Sequence, residues 1–282
     1  MLGNLYKTYL NILKGLGGIF KTKEGVGHQE IESKACEATL QDLDNYATKL
    51  GDLYRGLGVL VGLLAIVIIF CALAPIGLNM SEDNAHYVHH LEISLMLVSI
   101  ICFIYVKYSD LHNLWLNARY EAEIKRYEDL KELIALANPE DLHKEIDSLL
   151  KNQITYNDNK SIDYKAIEKA TSILNWCTFV FALVAAVVHI FFNFNWLILI
   201  TGFLPAVGGI IHGINGFLEL GELESEHERV SIKLNDYLNK INNSEPLDNG
   251  DLIDLCQDIY DLFIHGNNNW KHIAKKQALR LG

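Results

Sequence analysis

Several groups of residues in this chain have types and spacings that could do chemistry. His86, His89 and His90 cluster beside Glu82 and Asp83. Imidazole and carboxylate are donors that zinc accepts, but no coordination geometry follows from this spacing. A solvated polar loop is the plainer reading, and no metal is expected. Glu92 follows within an apolar stretch. A carboxylate well inside hydrocarbon costs about 2.5–3.5 kcal/mol, so it marks a pathway or a partner unless it sits at interface depth. His189 and His212 pose the same question more softly. Gly58-x-x-x-Gly62 and Gly209-x-x-x-Gly213 are small-residue faces that let helices approach closely. Pro205 and Gly208 join the second of these, so its helix can kink, and such a helix could line or gate a pore. Ordinary helix packing competes with that reading. Five glutamates crowd the stretch 219–228: Glu219, Glu222, Glu224, Glu226 and Glu228. In an oligomer an acidic face built on Glu219, Glu222 and Glu226 would draw cations to a pore mouth; in a monomer it is a solvated face. There is no phosphate-binding glycine loop, no His-Glu-x-x-His and no Cys-x-x-Cys. No acid, base and nucleophile can be named together, so neither an enzyme nor a cofactor is expected.

The elements that carry these residues follow from an uneven charge distribution. The chain has 282 residues, 50% apolar and 21% charged, with 24 Lys+Arg against 35 Asp+Glu and a net charge of -11. That composition excludes a disordered chain, and its acidity argues against a nucleic-acid partner. Five dispersed cysteines, three of them in apolar segments, read as structural thiols. Residues 170–218 contain no Asp, Glu, Lys or Arg, and neither do residues 56–81. Runs of this length exceed the roughly 20 residues that cross a bilayer core. The expected fold is all-α: an integral membrane protein with four transmembrane helices in two hairpins, each followed by a long cytoplasmic helix. The spans fall near 56–78, 87–107, 171–192 and 196–216. Asn193-Phe194-Asn195 supplies the turn that divides the last two, and Trp176 and Trp196 are interface anchors.

The segments between the spans fix an orientation. The loop after the first span has Glu82 and Asp83 but no Lys or Arg, and the loop after the third has no charge. Lys49, Arg55, Lys107, Arg119, Lys165, Lys169, Arg229 and Lys233 lie on the other side. The positive-inside rule then puts both termini in the cytoplasm. The division is 1–54 (cytoplasmic N-terminal helices), 55–137 (first hairpin and its helix), 138–170 (connector), 171–242 (second hairpin and its helix) and 243–282 (tail). The N-terminal stretch is not a secretory signal, since Lys7 and Lys14 break its apolar residues. It reads as a basic amphipathic helix, lying on the inner membrane surface or packed on the cytoplasmic domain. Leu111, Trp115, Ala118 and Ala122 recur at helical spacing after the second span, as do Leu220, Leu223, Val230, Leu234 and Leu238 after the fourth. The connector predicts short helices around a polar turn at Asn157–Lys160. The tail predicts a helix through Leu252, Leu255, Ile259 and Phe263, followed by Trp270 and a basic end. Hairpin-plus-helix thus occurs twice, as in a loose duplication. Asn79-Met80-Ser81 matches a glycosylation sequon in an outer loop, void in a bacterium.

Three stretches carry a resemblance. LDNYATKLGDLYRGLGVLVGLLAIV resembles the entry to the first span of bacterial SLATT-like membrane proteins. Trp115, Arg119, Ala122, Glu123 and Arg126 are similar to the W-x-x-x-R-x-x-A-E-x-x-R helix after that family's second span. FLPAVGGIIHGINGFLELGELESEHERVSIKL resembles a later Leu-Pro-x-x-Gly span and helix of longer relatives, and the tail around Trp270 resembles their Trp-containing C-terminus. The resemblance is best over residues 41–131, weaker over 196–282, and does not cover the first 40. It implies an inner-membrane effector of an antiphage system, often encoded beside nucleotide-generating enzymes, that permeabilises the membrane when triggered. The implied partners are the lipid bilayer, further copies of the chain, and a nucleotide second messenger or a partner defence protein. The residues alone leave a constitutive channel or transporter, or a scaffold docking partners on its long helices, as alternatives.

Overall fold

The structure is a computed structural model and describes residues 2–18, 37–136, 139–243 and 250–263. It is all-α, with eight helices and no strand among the described residues. In chain order they are α1 (Leu2–Gly18), α2 (Glu37–Gly77), α3 (Glu82–Tyr108), α4 (Leu111–Leu136), α5 (Pro139–Phe191), α6 (Asn195–Phe217), α7 (Leu220–Asn243) and α8 (250–263). Four of them, α2, α3, α5 and α6, are long and apolar enough to cross a membrane. The turns of the two hairpins fall at 78–81 and 192–194, the second where the Asn-Phe-Asn tripeptide predicts it.

Two expectations are corrected. The connector is not a set of short helices: α5 runs unbroken for 53 residues through Asn157–Lys160. Asn157 tolerates this because both ends of its amide are held. Its Nδ2 donates to the Gln153 carbonyl at 2.8 Å, and its Oδ1 pairs with His227 Nδ1 at 2.7 Å. Tertiary partners thus override a weak local preference for a turn. Likewise α2 begins at Glu37, so the segment before the first span is not a separate piece. The divisions expected at 54/55 and 170/171 fall inside continuous helices. Two compact units instead divide the chain close by: 1–21 with 52–111 and 165–221, and 22–51 with 112–164 and 222–282. Trp270 and the basic tail lie outside the described residues.

The first unit is organised around α6. Gly58 of α2 faces Phe217, Gly62 faces Ile214, Leu73 faces Gly202 and Gly77 faces Leu199, an antiparallel register along the whole helix. Phe70 and Phe203 meet edge to face at 5.7 Å. A β-carbon at Gly58 or Gly62 would collide with those side chains, so the expected close packing is present. On another side Gly208 of α6 meets Asn175 and Thr178 of α5. By contrast, none of the residues of α3 is buried. The hairpin turns lie at one end of this unit, where Asn195 Nδ2 donates to Asn79 Oδ1.

The second unit has an apolar core. Leu142, Ile146, Leu150 and Ile154 of α5 pack with Leu234 and Ile241 of α7 and with Leu252, Leu255, Ile259 and Phe263 of α8. Leu234 is completely enclosed. The four tail positions expected on one helical face all enter this core.

Candidate functional site

Trp115, Arg119, Ala122, Glu123 and Arg126 share one face of α4 and clamp it to α2. Trp115 of α4 is buried over Gly51 of α2, where a β-carbon would lie 2.6 Å from the indole Nε1. Ala122 is fully enclosed. Glu123, also buried, receives Arg119 Nη2 at 2.6 Å and Arg126 Nη1 at 2.8 Å. Arg126 reaches on to both carboxylate oxygens of Asp44 on α2, at 2.6 and 2.8 Å. The W-x-x-x-R-x-x-A-E-x-x-R spacing therefore puts an aromatic plate, a close-contact alanine and a charge relay on one helical face. Buried charge persists when it is paired and hydrogen-bonded in this way.

The remaining candidates separate. Glu92 is half-buried and sits 3.1 Å from His89 Nδ1, one turn away on α3. Gly209 and Gly213 face open space, as does Gly216, and His212 between them is exposed. Gly208 is buried instead. α6 continues helically through Pro205, whose missing N–H leaves the Thr201 carbonyl without its ordinary donor. The acidic face is divided. Glu219 lies in the turn before α7 with a positive φ of 56°, Glu222 is exposed on α7, and Glu226 is held by Arg229 in a two-point ion pair. Among the described residues no group of His, Cys, Asp and Glu could hold a metal ion.

The arrangement that reading the sequence missed is a polar seam between α5 and α6. Thr171, Asn175, Thr178, Ala182, Ala185 and His189 repeat at helical spacing on α5. Four of them are buried and Asn175 and His189 are half-buried. The opposite face carries Trp176, Phe179, Val180, Leu183, Val184, Val187 and Ile190, all exposed. This span-length helix thus turns bulky apolar groups outward and small or polar groups inward. Gly208 makes the close approach possible, since a β-carbon there would lie 2.6 Å from Thr178 Oγ1 and 3.1 Å from Asn175 Oδ1. Asn175 Oδ1 and His189 Nδ1 are buried with no hydrogen-bonding partner among the described residues.

Away from the hairpin turns, the seam continues as a directional relay. Tyr9 of α1 donates to Asn215 Oδ1 at 2.8 Å, Asn215 Nδ2 donates to Thr171 Oγ1 at 2.5 Å, and Thr171 donates to the Ile167 carbonyl at 3.0 Å. Burial holds the Tyr9 phenol above its usual range, so it remains a neutral donor. The signal for the seam is in the sequence, as a period of polar and small residues inside 170–218. The lack of charge there draws the eye to length instead.

Family models, curated proteins and solved structures were all compared with the chain, and none matches.

Proposed function

We propose that this protein is a bacterial inner-membrane effector of antiphage defence that permeabilises the membrane when triggered. The observation that carries the reading is the inward polar face of α5. Polar groups within a span-length helix cluster where solutes or protons pass, because lipid penalises them elsewhere. Asn175, Thr178 and Thr171 sit against α6 while the bulky apolar residues of α5 face outward. The resemblance of residues 41–131 to SLATT-like proteins supports the same reading. Its clamp residues have a consistent structural task. Both termini are cytoplasmic in this proposal, with the lysine- and arginine-bearing segments inside. The open face of Gly209, Gly213 and Gly216 supports assembly of several copies. The trigger is a nucleotide second messenger or a partner defence protein.

The test is membrane potential in bacteria expressing the chain with its native neighbouring genes, with and without phage challenge. Depolarisation confined to challenged cells is the expected result. A constant leak would favour an ungated channel, and a tight membrane in both conditions would favour a scaffold.

A further inference from the structure

We propose that α1 plugs the inner mouth of the α5–α6 seam, and that its withdrawal frees α6 to move off Asn175 and Thr178, so that small monovalent cations pass along the parted seam. This rests on the permeabilising reading and adds its path, its permeant and its gate.

Three observations converge on α1. First, it ends the polar relay: Tyr9 donates to Asn215, and Asn215 donates to Thr171. Without Tyr9, the Asn215 carbonyl oxygen loses a partner at the mouth of a seam that already holds an unpartnered Asn175 Oδ1. Buried amide oxygens in that condition recruit water. Second, the contacts that seat α1 include separable ones. Tyr6 and Leu13 are buried. Arg55 donates to the Tyr6 hydroxyl at 3.3 Å and lies over the same ring at 5.4 Å, and Lys7 pairs with Asp52 at 2.8 Å. The Lys7–Asp52 pair is largely exposed, so it adds little holding force. Third, the opposite side of α1, with Asn4, Thr8, Asn11 and Ile12, is exposed, so among the described residues α1 is held from one side only.

The permeant follows from the lining. Between Thr171 and Thr178 the seam presents hydroxyl and amide oxygens, and the basic side chain it carries, His189, lies beyond them near the hairpin turns. Such oxygens can stand in for a cation's hydration shell. Glu219 lies two residues beyond the end of α6 and would raise the local cation concentration.

The full-length protein would be reconstituted in potassium-loaded liposomes and potassium efflux recorded. Wild type should be tight. Leu13→Asp, which dislodges α1, should raise efflux roughly tenfold or more, the scale of losing one or two closed-state hydrogen bonds. Tyr9→Phe keeps the ring and removes only the donor, so it should leak less than Leu13→Asp yet more than wild type. It keeps the test valid should Leu13→Asp misfold. Adding Asn175→Leu to either variant should restore tightness. Efflux from the α1 variants that persists with Asn175→Leu would overturn the seam. Tight α1 variants, in a chain whose wild type still depolarises challenged cells, would overturn the plug and leave the effector reading standing. Tight liposomes together with undisturbed challenged cells would overturn both.

Discussion

In the first hairpin, α4 is fastened to α2 by charge: Glu123 between Arg119 and Arg126, and Arg126 on Asp44. In the second, α7 is fastened to α5 by neutral polar pairs and an apolar core. His227 meets Asn157, Ser231 donates to Asp158, and Leu234 packs among Leu150, Ile154 and the residues of α8. The plans otherwise run in parallel. Each second span-length helix ends at an acidic residue with positive φ, Asp110 at 49° and Glu219 at 56°, and a third helix begins at once. The span-length helices differ as well, α3 having no buried residue while α6 is packed on two sides. The same arrangement of helices can thus be held by unlike forces, and those forces respond to different conditions.

The largest expected effect separates core from surface within the second hairpin. Leu234→Ala should cost about 2–5 kcal/mol, read as a lower unfolding midpoint of the solubilised chain. Ile232→Ala, two residues away and exposed, should stay within about 0.5 kcal/mol. Equal losses would place the core elsewhere.

Acid should act on the second hairpin through His227. Burial, with Lys160 and Arg119 nearby, pushes His227 from 6.5 down to about 4, against a smaller opposing pull from Glu226. Tyr156, Tyr164 and Asn157 complete its surroundings. The unfolded chain binds this proton first, so stability is full above pH 6.5 and falls as pH drops through 4. The loss is on the order of 3 kcal/mol. Hydrogen exchange across α7 and the facing part of α5 should accelerate over that window, and His227→Gln should flatten the response.

Salt gives the converse result. Glu123→Gln should destabilise by about 2 kcal/mol, because two guanidiniums lose their shared carboxylate. Wild-type α4 should also loosen in high salt more than α7 does, since its ion pairs are partly exposed. The smallest effect belongs to α3. Leu97→Ala, exposed, should change stability by under about 0.5 kcal/mol. Gly62→Leu should cost about 2 kcal/mol by driving against Ile214. A large effect at Leu97 would mean that α3 has a protein neighbour.

The four span-length helices and the turn at 192–194 were legible in the sequence because charge-free length is a one-dimensional signal. So was the helix through Leu252, Leu255, Ile259 and Phe263, whose apolar period matches its burial. The helical continuity at Asn157 was not legible, because its partner His227 lies 70 positions away. Nor was the partner of α1: an amphipathic stripe says that a face is covered without saying by what. The stripe alone fits either the membrane surface or the cytoplasmic domain. The structure has Tyr9 on Asn215 of α6. Gly58 and Gly62 pack as their spacing suggests, whereas Gly209 and Gly213, with the same spacing, touch nothing within the chain.

The unbroken course of α5 has a mechanical consequence. Its span-length part is a helical rod that fixes the seam residues Thr171, Asn175 and Thr178 at set angles about one axis. A helix resists twisting better than a loop does, so such a rod transmits torque. Turning it about its axis by the angle of a single residue, roughly 100°, would swing Asn175 and Thr178 out of the seam and bring bulky apolar neighbours in. Such a turn would exchange one lining for another without any helix melting.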